Sequence, residues 1–452
     1  MTCSSPAAPL GRRELLKRVT IGGFGVGLIG SAGLLEAFSH PEDDGTPARQ
    51  DAGSLAADSS TLQTMRNAIA EMKARSDRNP LDPLGWHLYG GQHSIFCATN
   101  AFRMQVHYGW FFLPWHRAFL SNLEQKIRRL SGDRSFALPY WDWTRHARPP
   151  RSYFGAGNPL HDTTRVYGPD EKLPADFTEL GPAMRGPGFG HFAGLSRDPS
   201  RPQTEGTLEQ GAHNNVHNWI GGNMASFDGA GFDPIFSAHH GNIDRLWEAW
   251  RAGAPGRRDP VDAAWRDQLF PFYGASGEVE QIRVGDLLDT RKLGYVYDRL
   301  DWRHTLSAAS TPRYPGDGTI LATMALSSES RAKVRRLVAA PSRGRAILQY
   351  QRMQIPAHPL CHRIFLLHPA EARSAAVDTA SYCGTFTLLP IPDAAHGLDN
   401  FVTTQMEIPK SALAALLRDA PVHVTAVPVP LKERAIPTEP LRLQGVELLI
   451  DA

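Results

Sequence analysis

Histidine concentrates in two stretches of the chain. Gln105–Arg117 reads QVHYGWFFLPWHR and sets His107 and His116 among Trp110, Phe111, Phe112 and Trp115. Glu209–Trp250 holds His213, His217 and the neighbours His239 and His240. Imidazole is a good ligand for copper, zinc and iron, and an aromatic wall around it excludes water and fixes the ring directions. Two metals side by side need two three-ligand sets facing each other across a dry gap. The chain offers His93, His107 and His116 as one set, with His87 as an alternative to His93, and His213, His217 and His240 as the other. Six neutral imidazoles with no carboxylate or thiolate leave both metal charges uncompensated. That donor set suits copper. No thiolate set for a structural zinc is present, and the Glu-x-x-His pairs that a di-iron bundle places on facing helices are missing.

The elements that carry these residues follow from spacing. His107 and His116 are nine apart, half a turn out of phase at about 100° per residue, so one regular helix cannot aim both at one site. Pro114 is comfortable only in a helix's first turn. This predicts His107 at or before the helix entry and His116 on a helix through Phe119, Leu120, Leu123 and Ile127 to about Leu130. His213 and His217, four apart, share one helical face. His239 and His240 point about 100° apart, so only one of them can face a given partner. The Asp-Pro pair at Asp233 starts a helix with Ile243, Leu246 and Trp247 on one stripe. Ser60–Arg75 has helical spacing (Leu62, Met65, Ile69, Met72) with Ser59 or Ser60 as its cap. Ala147–Gln210 is rich in Pro, Gly and Arg and reads as long surface loops. After about Ile320, short apolar runs separated by turn residues predict a β-sandwich or jelly roll.

Composition sets the frame. The 452 residues suffice for about two or three domains. A net charge of +2 gives no pointer to nucleic acid or an acidic membrane. Arg12 and Arg13 precede an apolar, glycine-rich run from Val19 to Leu35 and small residues near Ala37–Ser39. This reads as an export leader of the twin-arginine type, removed from a periplasmic or secreted product. The expected division is a leader over 1–39, a disordered lead-in over 40–58, a catalytic part over 59–305, a linker over 306–320 and a β domain over 321–452. Of four cysteines, Cys361 and Cys383 are 22 apart and could pair in an oxidising compartment. That pairing would contribute roughly 3 kcal/mol. Cys97 stands alone near the first histidine cluster.

From about Gly85 to Trp302 the chain resembles the type 3 copper proteins, specifically the tyrosinases and polyphenol (catechol) oxidases. The likeness is strongest at VHYGWFFLPWHR, EQGAHNNVH and DPIFSAHHGNIDRLW. It implies a mainly α core, a four-helix bundle with long loops, holding two copper ions that take up O2. His93, chosen over His87 because Trp86 precedes it by seven and Cys97 follows it by four, joins His107 and His116 on the first copper. His213, His217 and His240 hold the second, with His239 a structural neighbour. By the same likeness, Cys97 is bonded to His107 as a thioether and Glu209 holds a water near the second copper together with Asn214. Phe227 hangs over the second copper, and Asp244 orients groups around the ligands. Tyr295 and Tyr297 match a motif joining the core to a trailing domain that covers the site. The implied activity is ortho-hydroxylation of monophenols and oxidation of o-diphenols to o-quinones. Alternatives are a catechol or o-aminophenol oxidase without the first step, and a haemocyanin-like O2 carrier. The implied partners are a small phenol and a copper chaperone for loading, with no nucleic acid, and no membrane after leader removal. The number of subunits is left open.

Overall fold

The computed structural model describes residues 45–98, 106–186, 188–195, 203–302, 318–340, 344–356, 358, 360–372, 375, 377, 379–390, 401–418, 421–430 and 441–451. The expected leader and nearly all of the expected linker lie outside them. Helices build the first part: α1 (Ser60–Arg78), α2 (Trp86–Cys97), α3 (Phe112–Ser131), α4 (Asn214–Ile220) and α5 (Ile235–Ala252). On α1 the predicted stripe Leu62, Met65, Ile69 and Met72 is buried. Ser59 is its N-cap residue but makes no side-chain capping bond. Pro114 lies in the first turn of α3, which ends at Gly132, whose φ of +73° costs a residue without Cβ little. Asp233 accepts the Ile235 N–H (2.9 Å) at the start of α5 and is itself held by Arg165. None of the described helices is long and apolar enough to cross a membrane.

The strands follow. The lead-in supplies β1 (Ala48–Arg49). The middle of the chain supplies β2 (Gln203–Thr204), the hairpin β3 (Leu269–Tyr273) and β4 (Val279–Arg283), and β5 (Val296–Tyr297). β1 pairs in parallel with β5. This corrects the expectation of a disordered lead-in for residues 45–58. Arg49 is buried, and its guanidinium reaches Glu124 at 2.9 Å and lies 3.4 Å from the Tyr295 ring centroid. A hydropathy reading misses this because the segment is tied down by one buried cation rather than by apolar side chains.

Beyond the linker come β6 (Thr319–Met324), α6 (Ser328–Ala339), β7 (Arg345–Gln354), β8 (Leu360–Phe365), β9 (Tyr382–Leu388), β10 (Phe401–Glu407), β11 (Val422–Pro428) and β12 (Gly445–Asp451). They form two four-stranded sheets, in the orders β12-β7-β10-β2 and β6-β11-β8-β9. The sheets meet where Tyr350 of one and Phe386 of the other bring their rings to 5.7 Å. β2 belongs to the first part of the chain yet pairs in parallel with β10, so the two parts share a sheet. The expected Cys361–Cys383 disulfide is corrected: both residues are buried and neither is bridged. Cys361 is opposite Thr387, four residues along β9 from Cys383. Four residues span about 13 Å, beyond the roughly 7 Å a disulfide tolerates.

Candidate dinuclear metal centre

Each histidine is delivered by a different local device. His93 lies on α2, His107 just before α3 and His116 on α3. Tyr108, next to His107, has φ +62°, a conformation that costs a non-glycine residue about 1–3 kcal/mol. It turns the Tyr108 N–H onto Glu209 at 3.0 Å. Glu209–His213 is a wide turn broken at Gly211 (φ −86°, ψ −108°) that runs into α4. The Glu209–Ile220 stretch is therefore not one regular helix, although His213 and His217 still face one way, their rings 4.5 Å apart. Wide turns of this kind recur at functional sites. His240 comes from α5.

The six rings converge in the buried interior. Ring centroids in the first group are separated by 6.0 Å (His93–His107), 5.7 Å (His93–His116) and 4.9 Å (His107–His116). In the second, Nε2 of His240 lies 3.3 Å from Nε2 of His213 and 3.0 Å from Nε2 of His217. The groups face each other, with His116 stacked on His240 at 4.3 Å and His107 5.7 Å from His213. His87, the alternative to His93, lies outside both groups, its ring 5.3 Å from Phe232.

Five of the six outward nitrogens are pinned. Nδ1 of His93, His116 and His217 donates to the carbonyls of Phe227 (2.8 Å), Phe112 (2.7 Å) and Met224 (2.7 Å). Nδ1 of His213 donates to Asn214 Oδ1 (2.8 Å), and Nδ1 of His107 lies 2.7 Å from Glu209 Oε1. A carbonyl only accepts, so these rings carry their proton outside and present the Nε2 lone pair inward. Nε2 of His93 and of His116 is buried without a hydrogen-bond partner. Three inward Nε2 atoms at 3.0–3.3 Å, and two more lone pairs with no donor, form an arrangement that a cation completes. His239 stands with the second group, a ring nitrogen within 4.8 Å of the others, but Trp143 Nε1 donates to its Nδ1 (3.2 Å), which leaves the proton on Nε2. Burial, with neighbouring imidazoles adding to it, lowers the His93 imidazole to about 3. Burial also lowers His217 to about 4, and holds His107, His116, His213 and His240 well below the usual range. All six are neutral at pH 7, the form that binds metal.

Aromatic rings close the cavity. Phe236 stacks on His240 at 3.9 Å and meets His93 edge-on at 4.8 Å. Phe112 meets His213 at 4.6 Å, and Trp115 meets His116 at 4.9 Å. Sequence reasoning did not single out Phe236, although its place four residues before His240 puts both on one helical face.

Other expected residues fall differently. Phe227 is expected over the second group; its ring instead lies 4.3 Å from His107, and its carbonyl holds His93, so it serves the first group. Asp244 is expected to orient groups around the ligands. It instead accepts from Arg117 Nε (2.5 Å), Arg49 (3.2 Å), Tyr295 (2.6 Å) and Tyr297 (2.6 Å). Burial pushes its carboxyl up, but Arg117, Arg49 and the two tyrosine hydroxyls outweigh that and hold it below its ordinary value. It lies one turn beyond His240, and there the two arginines and two tyrosines hold it in a buried ionic hub. Glu209 bonds His107 and Tyr108, while the Asn214 amide donates to Glu205 (2.7 Å) and to the Thr387 carbonyl (3.0 Å). One carboxyl, Glu209, thus stands directly behind an imidazole, and a second, Glu205, stands behind the Asn214 amide. Cys97 Sγ lies within 4.8 Å of a ring nitrogen of His107. Burial pushes its thiol well above the usual range, so it is no thiolate ligand in the metal-free chain.

The common central domain of tyrosinase matches residues 83–188 and 181–253, and the middle domain of polyphenol oxidase matches 259–306. Residues 83–306 thus carry the central domain of tyrosinase followed by the middle domain of polyphenol oxidase. Polyphenol oxidase E, chloroplastic, of Solanum lycopersicum is 30% identical over 291 residues, 55% of this chain and 49% of that protein. The chloroplastic polyphenol oxidase of Vitis vinifera is 33% identical over 279 residues, 52% of this chain and 45% of that protein. The chain thus spans about half the length of the curated relatives it matches. The structure of latent apple tyrosinase superposes with a TM-score of 0.68 over 90% of this chain and 97% of that one, at 23% identity, a likeness of fold alone. Relatives named as chloroplastic overturn the expectation of twin-arginine export to a periplasm or the outside, because they point to plastid targeting instead.

Proposed function

We propose that the protein is a copper-dependent phenol oxidase. The observation that supports this most is the convergence of two imidazole triads, stacked across His116 and His240 at 4.3 Å inside a buried aromatic cage. His93, His107 and His116 would hold one copper, and His213, His217 and His240 the other. When bound, the two coppers supply the electron couple and the binding site for O2. Two o-diphenols then give two o-quinones while one O2 becomes two waters. A monophenol and one O2 give one o-quinone and one water. The chain's own contribution would be to exclude water, hold the rings in place, and offer Glu209, bonded to His107 and Tyr108, as the group that takes up a phenol's proton once copper is bound. We assign Cys97 and His107 as a thioether pair, which would leave the chain two hydrogens lighter, with one O2 taking them up as hydrogen peroxide.

The β domain would act as a cover. Thr387 and Thr385 carbonyls on β9 accept from Asn214 (3.0 Å) and Asn215 (3.1 Å), and the Leu389 carbonyl accepts from the Tyr108 hydroxyl (3.3 Å). Oxygen uptake with catechol and with tyramine, after copper loading and cleavage in 306–320, tests the reading. Uptake with both substrates is expected. Uptake with catechol alone would reduce the assignment to a catechol oxidase. An O2-dependent absorption band without quinone would favour a carrier.

A further inference from the structure

Glu205 lies eight residues before His213 on the segment that β2 ties to the β domain, and its carboxyl is buried. Its backbone N–H donates to the Thr403 carbonyl (3.3 Å), which fixes it beside α4. Its Oε1 accepts from Nδ2 of Asn214 at 2.7 Å. The same Nδ2 donates to the Thr387 carbonyl at 3.0 Å. A backbone carbonyl cannot donate, so the amide has only one orientation: NH2 toward Thr387 and Glu205, Oδ1 toward Nδ1 of His213 at 2.8 Å. His213 must then carry its proton on Nδ1 and turn the Nε2 lone pair toward His217 and His240. If the amide flipped, its NH2 would face Nδ1, and the proton would move to the nitrogen that must bind metal.

We propose that Glu205 is a positioning residue of the second triad, fixing the Asn214 amide and through it the tautomer of His213. The inference rests on the dicopper reading. It gives each metal one carboxylate behind it: Glu209 directly on His107, and Glu205 through one amide on His213. Partners of this kind typically change metal affinity by about 10–100-fold.

The test is copper titration of the metal-free full chain against a chromophoric chelator, with thermal unfolding of each metal-free variant as the control for folding. Wild type is expected to take up two coppers. Glu205→Ala should keep one at wild-type affinity and bind the other about 10–100-fold more weakly. Glu205→Gln, which keeps an acceptor for Asn214, should return to within about threefold of wild type, as expected if the hydrogen bond rather than the charge does the positioning. Asn214→Ala should show the Glu205→Ala loss, and the double variant should lose no more than Asn214→Ala, because one acts through the other. Two tightly bound coppers in Glu205→Ala, additive losses, or failure of Gln to rescue would each overturn the proposal. Should Glu205→Ala not fold, the Gln and Asn214→Ala variants decide by the same criteria. Fewer than two coppers in wild type would instead overturn the dicopper reading itself.

Discussion

Replacing Asp244 by asparagine separates the two roles open to this residue. The change keeps the shape and one acceptor oxygen but removes a charge shared by two buried guanidiniums, Arg49 and Arg117. Removing one partner of a buried ion pair costs about 3–5 kcal/mol, because the other charge is left in a low-dielectric interior. Here each arginine retains a second carboxylate: Arg49 keeps Glu124 at 2.9 Å and Arg117 keeps Glu248 at 2.6 Å. The expected loss is therefore at the low end, about 3 kcal/mol. Denaturant unfolding of the metal-free protein, followed by tryptophan fluorescence, measures it. Copper titration of the folded variant under native conditions should give wild-type affinity, since Asp244 bonds no imidazole. A stability change below about 1 kcal/mol would refute the ionic-hub account. Weakened copper binding at unchanged stability would return Asp244 to a ligand-orienting role.

Three further outcomes follow from the same geometry. Glu209→Gln should lower monophenol hydroxylation by about 10²–10⁴-fold while o-diphenol oxidation falls less than tenfold, the range for losing a proton acceptor, and parallel rates on tyramine and catechol check it. Gly231→Ala would put a Cβ 2.7 Å from both the Gly90 carbonyl oxygen and the His93 Cβ, so α2 must shift. The cost should be about 1–3 kcal/mol, with the first copper weakened and the second unaffected, read by the same titration. For pH, each buried imidazole binds fewer protons folded than unfolded. Its stabilisation is complete above its ordinary 6.5 and is lost as pH falls toward its folded value, about 4 for His217. Glu205, raised by burial to about 8, works the other way, as does Glu209, but the lowered imidazoles outnumber them. The metal-free protein should therefore lose unfolding free energy between pH 6.5 and 4, and equal stability at both ends would contradict the assigned burial.

Much of the site was legible because local spacing decides it. Four-residue separation put His213 and His217 on one face, and the proline in QVHYGWFFLPWHR forced His107 off the helix that carries His116. Adjacency allowed only one of His239 and His240 to join the triad, but which one was not a matter of spacing. Trp143, nearly a hundred residues away, donates to Nδ1 of His239, while Nε2 of His240 lies against His213 and His217. The apolar periods of α1, α3 and α5 were likewise visible, as was the change to short strands after Ile320.

What spacing could not supply were contacts between segments with no periodic relation. Glu205 sits in a loop with no pattern of its own and reaches Asn214 only because β2 pairs with a strand two hundred residues later. Arg49 belongs to a polar lead-in and is buried because β5 offers it a partner strand and Asp244 and Glu124 offer it charge. Cys361 and Cys383 are close enough in sequence to pair, but the register of β8 on β9 sets them four residues apart. The sequence by itself determined which donors exist and which of them a helix must present together, because helix geometry is a property of the local backbone. Only the tertiary structure decided which carboxylates stand behind those donors and which face of each ring turns inward, because hydrogen bonds and buried charges are satisfied by whatever the fold brings near.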